Sequence, residues 1–281
     1  MSGEAGQPTV GQGRDRRELR ADCARCFGLC CVVPAFSVSA DFAIDKPAGR
    51  PCPHLRADFR CGIHSELRGR GFPGCAVFDC FGAGQHVSQV TFGGRDWRQD
   101  PATARRMFDT FTVMRQLHEL LWYLTAALAL PPARALHADL RRVLEQTEAM
   151  TELPSAALVD MPIDQHRVEV NALLLRASEL ARAQVPGPRA DYRGADLAGA
   201  SLRAAMLVGA SLRGALLIGA DLRGVDLRLA DFTGADLRGA KVHSAELSQS
   251  LFLTQAQVDA ALGSGRTKLP PALRQPEQWS A

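Results

Sequence analysis

The chain has 281 residues, 22% of them charged, and a formal net charge of +3. So mild a balance argues for neither a DNA-binding tail nor an acidic DNA mimic. The longest apolar run, Leu120 to Leu130, is too short to cross a bilayer as a straight helix. The expectation is a cytoplasmic chain of two or three modules, with no membrane segment and no nucleic-acid partner.

Residues 1–12 are rich in Gly, Ser and polar side chains and read as a disordered tail, not a signal peptide. Residues 13–98 form a cysteine-rich module. It opens on GRDRRELRAD, a short charged helix on this reading, and then holds all eight cysteines of the chain. With no signal peptide, reduced thiols that bind metal are a better reading than disulfides. The run Cys23-Ala-Arg-Cys26-Phe-Gly-Leu-Cys30-Cys31 puts four thiols in nine residues. Cys52 with His54, Cys61 with His64, and Cys75 with Cys80 follow. Thiolates and imidazoles at such spacing suit zinc, with iron or an iron–sulfur cluster as the alternative. The candidate ligands are Cys23, Cys26, Cys30, Cys31, Cys52, Cys61, Cys75, Cys80, His54 and His64. Adjacent Cys30 and Cys31 do not readily point the same way, so one serves a second ion or stays free. Asp79 and His86 read as hydrogen-bonding partners around the metal, with an acid–base pair as the alternative.

The residues CARCFGLCC, PCPHL, CGIH and GCAVFDC resemble the zinc- or iron-chelating proteins named for a CxxCxxCC signature. Here three residues, Phe27-Gly28-Leu29, precede the paired cysteines where the signature has two, so Cys30 or Cys31 takes the signature position.

Residues 99–185 read as a helical bundle. Pro101 suits a helix start. Phe108, Phe111, Met114, Leu117, Leu121, Leu124 and Leu128 make one apolar stripe at gaps of three and four. Pro131-Pro132 ends that helix. A second runs over 133–150 with Leu136, Leu140, Val143 and Leu144 on one face, Pro154 breaks the chain, and a third runs over 162–183. Trp122, Tyr123 and His118 read as core or interface packing, with a pocket lining as the alternative. Pro186-Gly187-Pro188 marks a hinge over 186–189.

From Ala190 to Thr254 the chain repeats in fives: ADYRG, ADLAG, ASLRA, AMLVG and onward. A small residue opens nearly every unit, and a bulky apolar residue sits third, from Tyr192 and Leu197 through Phe232 to Phe252. A strict short period means that each unit repeats one backbone course and stacks on its neighbours. Small opener and large centre fill an interior together, and Gly in last place suits a corner. Asp before the centre and Arg after it nearly cancel in charge. Met206-Leu207-Val208 and Leu216-Leu217-Ile218 leave apolar places outside the core.

This register resembles the pentapeptide-repeat proteins. The resemblance implies a right-handed quadrilateral β-helix with about four units to a coil, neighbouring coils stacked roughly 4.8 Å apart. The expected fold class is therefore an α+β multi-module chain: a cysteine-rich metal module, a helical middle and a C-terminal β-helix solenoid over 190–254. A cap over 255–281 follows, with Thr254 capping a helix through QAQVDAAL that stops at Gly263, and Trp279 packing back on it. The expected function is a non-catalytic, metal-binding scaffold with a protein partner, possible as a homodimer. The alternatives are an iron-dependent redox sensor or modifying enzyme built on the cysteines, and binding or protection of DNA gyrase, for which the balanced charge is a poor fit.

Overall fold

The computed structural model describes residues 19–280. The expected tail over 1–12 and the first part of the charged helix lie outside the described residues. Leu19 and Arg20 form a turn and bend rather than a helix.

The helical middle is built as its pattern dictates. Asp100 caps the first long helix, α1 (Pro101–Leu128), accepting hydrogen bonds from the Ala102 and Thr103 amides at 3.2 and 2.9 Å. Pro131-Pro132 then forces a 3-10 segment, Pro131–Leu136, before α2 (His137–Thr151), so the second helix starts later than its apolar pattern suggests. A short helix that the sequence did not announce, α3 (Ser155–Val159), follows Pro154. The last long helix, α4, spans Ile163–Arg182.

The stripe of α1 faces two different cores. Met107, Phe111, Met114 and Leu117 pack with Leu29, Ala83 and Val87 of the cysteine-rich part and with Leu158 and Ile163. Leu120, Leu121, Leu124 and Ala127 join α2, α4 and the interior of the repeats in a second, larger core. Each fully buried leucine contributes about 1.5–3 kcal/mol, so α1 is the element that fastens the front of the chain to its back.

The repeats correct the expected fold class. Among the described residues every named element is a helix; no strand or sheet forms, and the expected C-terminal β-helix solenoid is not seen. Single-residue parallel bridges join the units instead, as in Asp191↔Ser211, Ser211↔Asp231 and Asp231↔Leu251. The physical reason lies in the five-residue period. After each apolar centre the chain turns, as in Ala195 N–H to the Tyr192 carbonyl at 3.0 Å, so no extended stretch lasts long enough to become a strand. The corner residue takes a left-handed φ: Gly194 is at +65° and Gly234 at +67°, while Leu229 (+57°) and Ser244 (+58°) adopt the same conformation without being glycine. The interior is as the pattern requires. Ala210, Ala220, Ala230, Leu212, Leu217, Leu222 and Phe232 are all fully buried.

Helix α4 lies against the repeats. Ser178 Oγ donates to Asp231 Oδ2 at 2.6 Å, and Arg182 Nε donates to the Gly209 carbonyl at 2.8 Å. At the far end, Thr254 caps α5 (Gln255–Ala260) through a capping box with Gln257. This helix ends short of Gly263 because Ala261 turns extended and Leu262 pairs with Lys241. Lys268 pairs with Glu246 in the same way, so the tail occupies bonding positions that the last units would otherwise leave open. Trp279 is buried and lies over Gly263, its Nε1 donating to the Ala261 carbonyl at 3.2 Å.

Candidate metal centre and the surfaces around it

The cysteines sit in irregular backbone that polar side chains hold in place. Cys23 begins a 3-10 turn (Cys23–Arg25) capped by Asp22, whose carboxylate accepts from the Ala24 amide at 3.0 Å. Cys30 and Cys31 lie in one helical turn, Leu29–Val32, that starts after Gly28 at φ +67°. A side chain on Gly28 would run into Leu55 and the Phe59 carbonyl. Cys75 lies in the turn Pro73–Ala76. Cys80 directly precedes the turn into Ala83–Gln85, which continues as a π-helix over His86–Thr91.

This π-helical segment grips the first cysteine loop. Ser88, fully buried, accepts from the Phe27 amide at 3.0 Å and donates to the Gly84 carbonyl at 2.8 Å. Gln85 bonds both the Arg20 carbonyl and the Asp22 amide, Gln89 bonds the Arg25 carbonyl, and Trp97 Nε1 donates to the Phe27 carbonyl. Gly84 approaches the thiols closely: a Cβ there would stand 2.7 Å from Cys26 Sγ and 3.7 Å from Cys80 Sγ. A cleft of about 20 Å³ is lined by Cys23, Cys26, Cys30 and Cys80.

Lys46 does the equivalent work for the second loop. It is 3% exposed, and its ammonium donates to the carbonyls of Val32, Pro47 and Arg50 at 2.8, 3.1 and 3.0 Å. Burial lowers its pKa, against the opposing pull of nearby Cys52, Cys31 and Cys75. The Cys52 amide donates to the Cys31 carbonyl at 2.9 Å, and Leu55 bridges Cys61. Arg98 closes the loop from outside, bonding the Ala57 and Arg56 carbonyls and stacking 3.8 Å from the Phe59 ring centre. None of Lys46, Gln85, Ser88, Trp97 or Arg98 belongs to a recognisable motif, and only the fold reveals what they hold.

All eight thiols are free of disulfides. Backbone amides point at four of the sulfurs: Gly28 and Leu29 at Cys26, Gly82 and Gly84 at Cys80, His54 at Cys52, and Ile63 at Cys61. Such bonds favour the thiolate. Burial opposes them and wins, raising Cys23, Cys26, Cys52 and Cys61 and pushing Cys75 and Cys80 up to about 11. Cys30 and Cys31 behave as a pair with sulfurs 3.9 Å apart. Cys30 is raised by its hydrogen bond to Cys31, and the same bond lowers Cys31. Among the described residues no three His, Cys, Asp or Glu side chains already stand in metal-ligating geometry.

The remaining candidates make other contacts. His54 packs edge-on against the Phe72 ring at 5.3 Å, and His64 is exposed at the start of a 3-10 turn. Asp79 accepts from the Phe81 amide at 2.7 Å. His86 turns toward the helices, its Nε2 lying 3.2 Å from the Thr151 carbonyl and its ring against His118. These contacts give Asp79 and His86 places in the fold rather than a shared acid–base geometry. His118 and Trp122 are buried in packing, with Trp122 against Phe81. Tyr123 packs on Phe252 and also borders a cavity of about 540 Å³, where Asp79 and Phe81 meet Arg115 and Glu119 of α1 and Gly234 and Gln257 of the back part.

On the outer face of the repeats, Asp pairs with the Arg two residues on. Arg223 reaches Asp221 at 2.6 Å, Arg228 reaches Asp226 at 2.5 Å, and Arg238 reaches both Asp236 at 2.7 Å and Asp41 of the cysteine-rich part at 3.0 Å. Met206 is 88% exposed. Among the described residues no helix is long and apolar enough to cross a membrane.

Comparison with known proteins agrees with the five-residue register. The family model for pentapeptide repeats matches residues 189–217 and 215–252. A solved pentapeptide repeat protein from the Arabidopsis thaliana thylakoid lumen is 32% identical over 22% of this chain, with a TM-score of 0.18; the match spans about half of that structure, 49%. Uncharacterized protein YybG of Bacillus subtilis (strain 168) is 56% identical over 265 residues, covering 93% of this chain and 95% of the relative. At that identity and coverage the chain belongs to the same family as YybG, and its C-terminal part is made of pentapeptide repeats.

Proposed function

We propose that this protein is a non-catalytic scaffold of the cytoplasm, in which a metal-bound cysteine module fixes the front of the chain and the pentapeptide repeats present a surface to another protein. The observation that carries the metal reading is the cleft where Cys23, Cys26, Cys30 and Cys80 meet against the bare backbone of Gly84. Eight free thiols, four of them with amides near the sulfur, form a donor set for a thiophilic cation, and metal binding would displace the protons they carry. Zinc is the first choice. It would cross-link loops that have little regular structure of their own, as metals do in small modules.

The scaffold reading rests on the repeats and their charge. Each surface Asp named above is neutralised by Arg in its own unit, which leaves no acidic face of the kind a DNA mimic needs. The exposed Met206 beside that neutral face suits a protein partner better than nucleic acid.

The test is the metal content of full-length protein purified without oxygen, read by elemental analysis and by visible absorbance, for wild type and for Cys23→Ser/Cys26→Ser. Colourless protein with zinc, reduced in the variant, supports the reading. Iron with visible absorbance replaces it with a redox sensor. Metal-free wild type overturns it.

A further inference from the structure

We propose that the eight cysteines make two separate four-sulfur sites, divided at the Cys30–Cys31 peptide bond: Cys23, Cys26, Cys30 and Cys80 form one, and Cys31, Cys52, Cys61 and Cys75 the other. The proposal rests on the metal-binding reading above and adds the number of sites and the membership of each.

The division begins with local geometry. Cys30 and Cys31 are successive residues of one helical turn, and successive side chains on a helix point about 100° apart. Two neighbours in that geometry serve two sites more readily than one. The surroundings of each cysteine then differ. Cys30 faces the cleft that Cys23, Cys26 and Cys80 also line, against the bare backbone of Gly84. A side chain on Gly84 would occupy the space beside the Cys26 and Cys80 sulfurs. The cleft is small, about 20 Å³.

Cys31 faces the other way. Its loop neighbours are those of the second group, and Leu55, three residues past Cys52, bridges Cys61. The Cys31 carbonyl accepts from the Cys52 amide, and Cys52, Cys61 and Cys75 all lie near enough to feel its charge. Cys23 borders both groups, since Cys31 also acts on it; its place in the cleft assigns it to the first. The two groups meet where the Cys30 and Cys31 sulfurs stand 3.9 Å apart.

Charge separates the two sites as well. A divalent ion held by four thiolates leaves a net charge of about −2. Two such sites side by side repel one another, and a buried cation between or beside them offsets that cost. Lys46 stands next to the second group only, close to Cys31, Cys52 and Cys75, and is held rigidly by its three carbonyl partners. The first group has the paired amides at Cys26 and Cys80 instead.

Cadmium-113 is the probe. The full chain, stripped with chelator and reloaded with the isotope without oxygen, should bind two ions and give two resonances in the tetrathiolate range. Cys26→Ser/Cys80→Ser should remove one resonance and Cys52→Ser/Cys75→Ser the other, each variant keeping one ion. One ion and one resonance in wild type would overturn the division while leaving metal binding intact. So would loss of both resonances in either variant when its helical circular dichroism is unchanged. No uptake by wild type would overturn the metal reading itself. The count in wild type decides the matter even if a variant fails to fold.

Discussion

Ser178 Oγ on α4 donates to Asp231 Oδ2 in the repeats across 2.6 Å, and both residues are fully buried. The same carboxylate accepts from Arg213 Nη1 at 3.2 Å, from the Thr233 amide at 2.9 Å and from the Thr233 hydroxyl at 2.6 Å. A buried charge is tolerated only when its hydrogen-bonding capacity is filled, and here the filling comes partly from the helical middle. Asp231 thereby makes the packing of α4 on the repeats specific. Ser178→Ala should cost about 1–3 kcal/mol, the range for loss of a bond to a charged group. Asp231→Ala should cost more, about 3–5 kcal/mol, because it leaves Arg213, only 13% exposed, without its partner. Urea unfolding of the two single variants and the double variant checks this, and the double should cost less than the sum of the singles.

Stability should fall as pH drops through the histidine range. His166 is 5% exposed, and burial lowers its pKa. Thr147 Oγ1 donates to the Val143 carbonyl, so at 2.8 Å from His166 Nε2 it receives that ring proton. The other ring nitrogen, Nδ1, is buried without a hydrogen-bond partner among the described residues, so a second proton has nowhere to bond. The unfolded chain therefore binds the proton more readily than the folded one. The stabilising contribution is present above the ordinary imidazole value of about 6.5 and is lost as pH falls below it. Denaturation midpoints between pH 7 and 5 should decline in wild type and decline less in His166→Gln.

Gly263 should not accept a side chain. A Cβ there would lie 2.5 Å from Trp279 Cδ2, closer than any packed pair allows. The indole would have to leave the place where its Nε1 bonds the Ala261 carbonyl. Gly263→Ala should cost about 1–3 kcal/mol, the range for overpacking, and should shift the tryptophan emission to longer wavelength as Trp279 becomes wetter. Unchanged emission and unchanged stability would show that the cap does not rest on this contact.

The helices were legible because their information is local. The stripe from Phe108 to Leu128, Pro101 at a helix start, and Thr254 as a cap each declare a helix from neighbouring residues alone. The five-residue register was equally plain, and the family model confirms it. The conformation inside each unit was not. A turn after every apolar centre confines pairing to isolated bridges such as Asp196↔Leu216, so the β-helix of strands that the family resemblance implies gives way to a stack of turns. Non-local partners were hidden altogether. Nothing about Ser88 or Lys46 in the sequence announces that one fastens the Cys26 loop and the other the loop bearing Cys52. The chemistry of the cysteines was visible as a set, whereas their grouping depends on which loops the fold brings together.

X-ray absorption at the metal edge of full-length protein purified without oxygen tests the central claim most directly, because it reads the atoms bound to the ion. The shell should be all sulfur at about 2.3 Å, the zinc–thiolate distance, with no imidazole scattering from His54 or His64. A shell dominated by nitrogen or oxygen would contradict the claim.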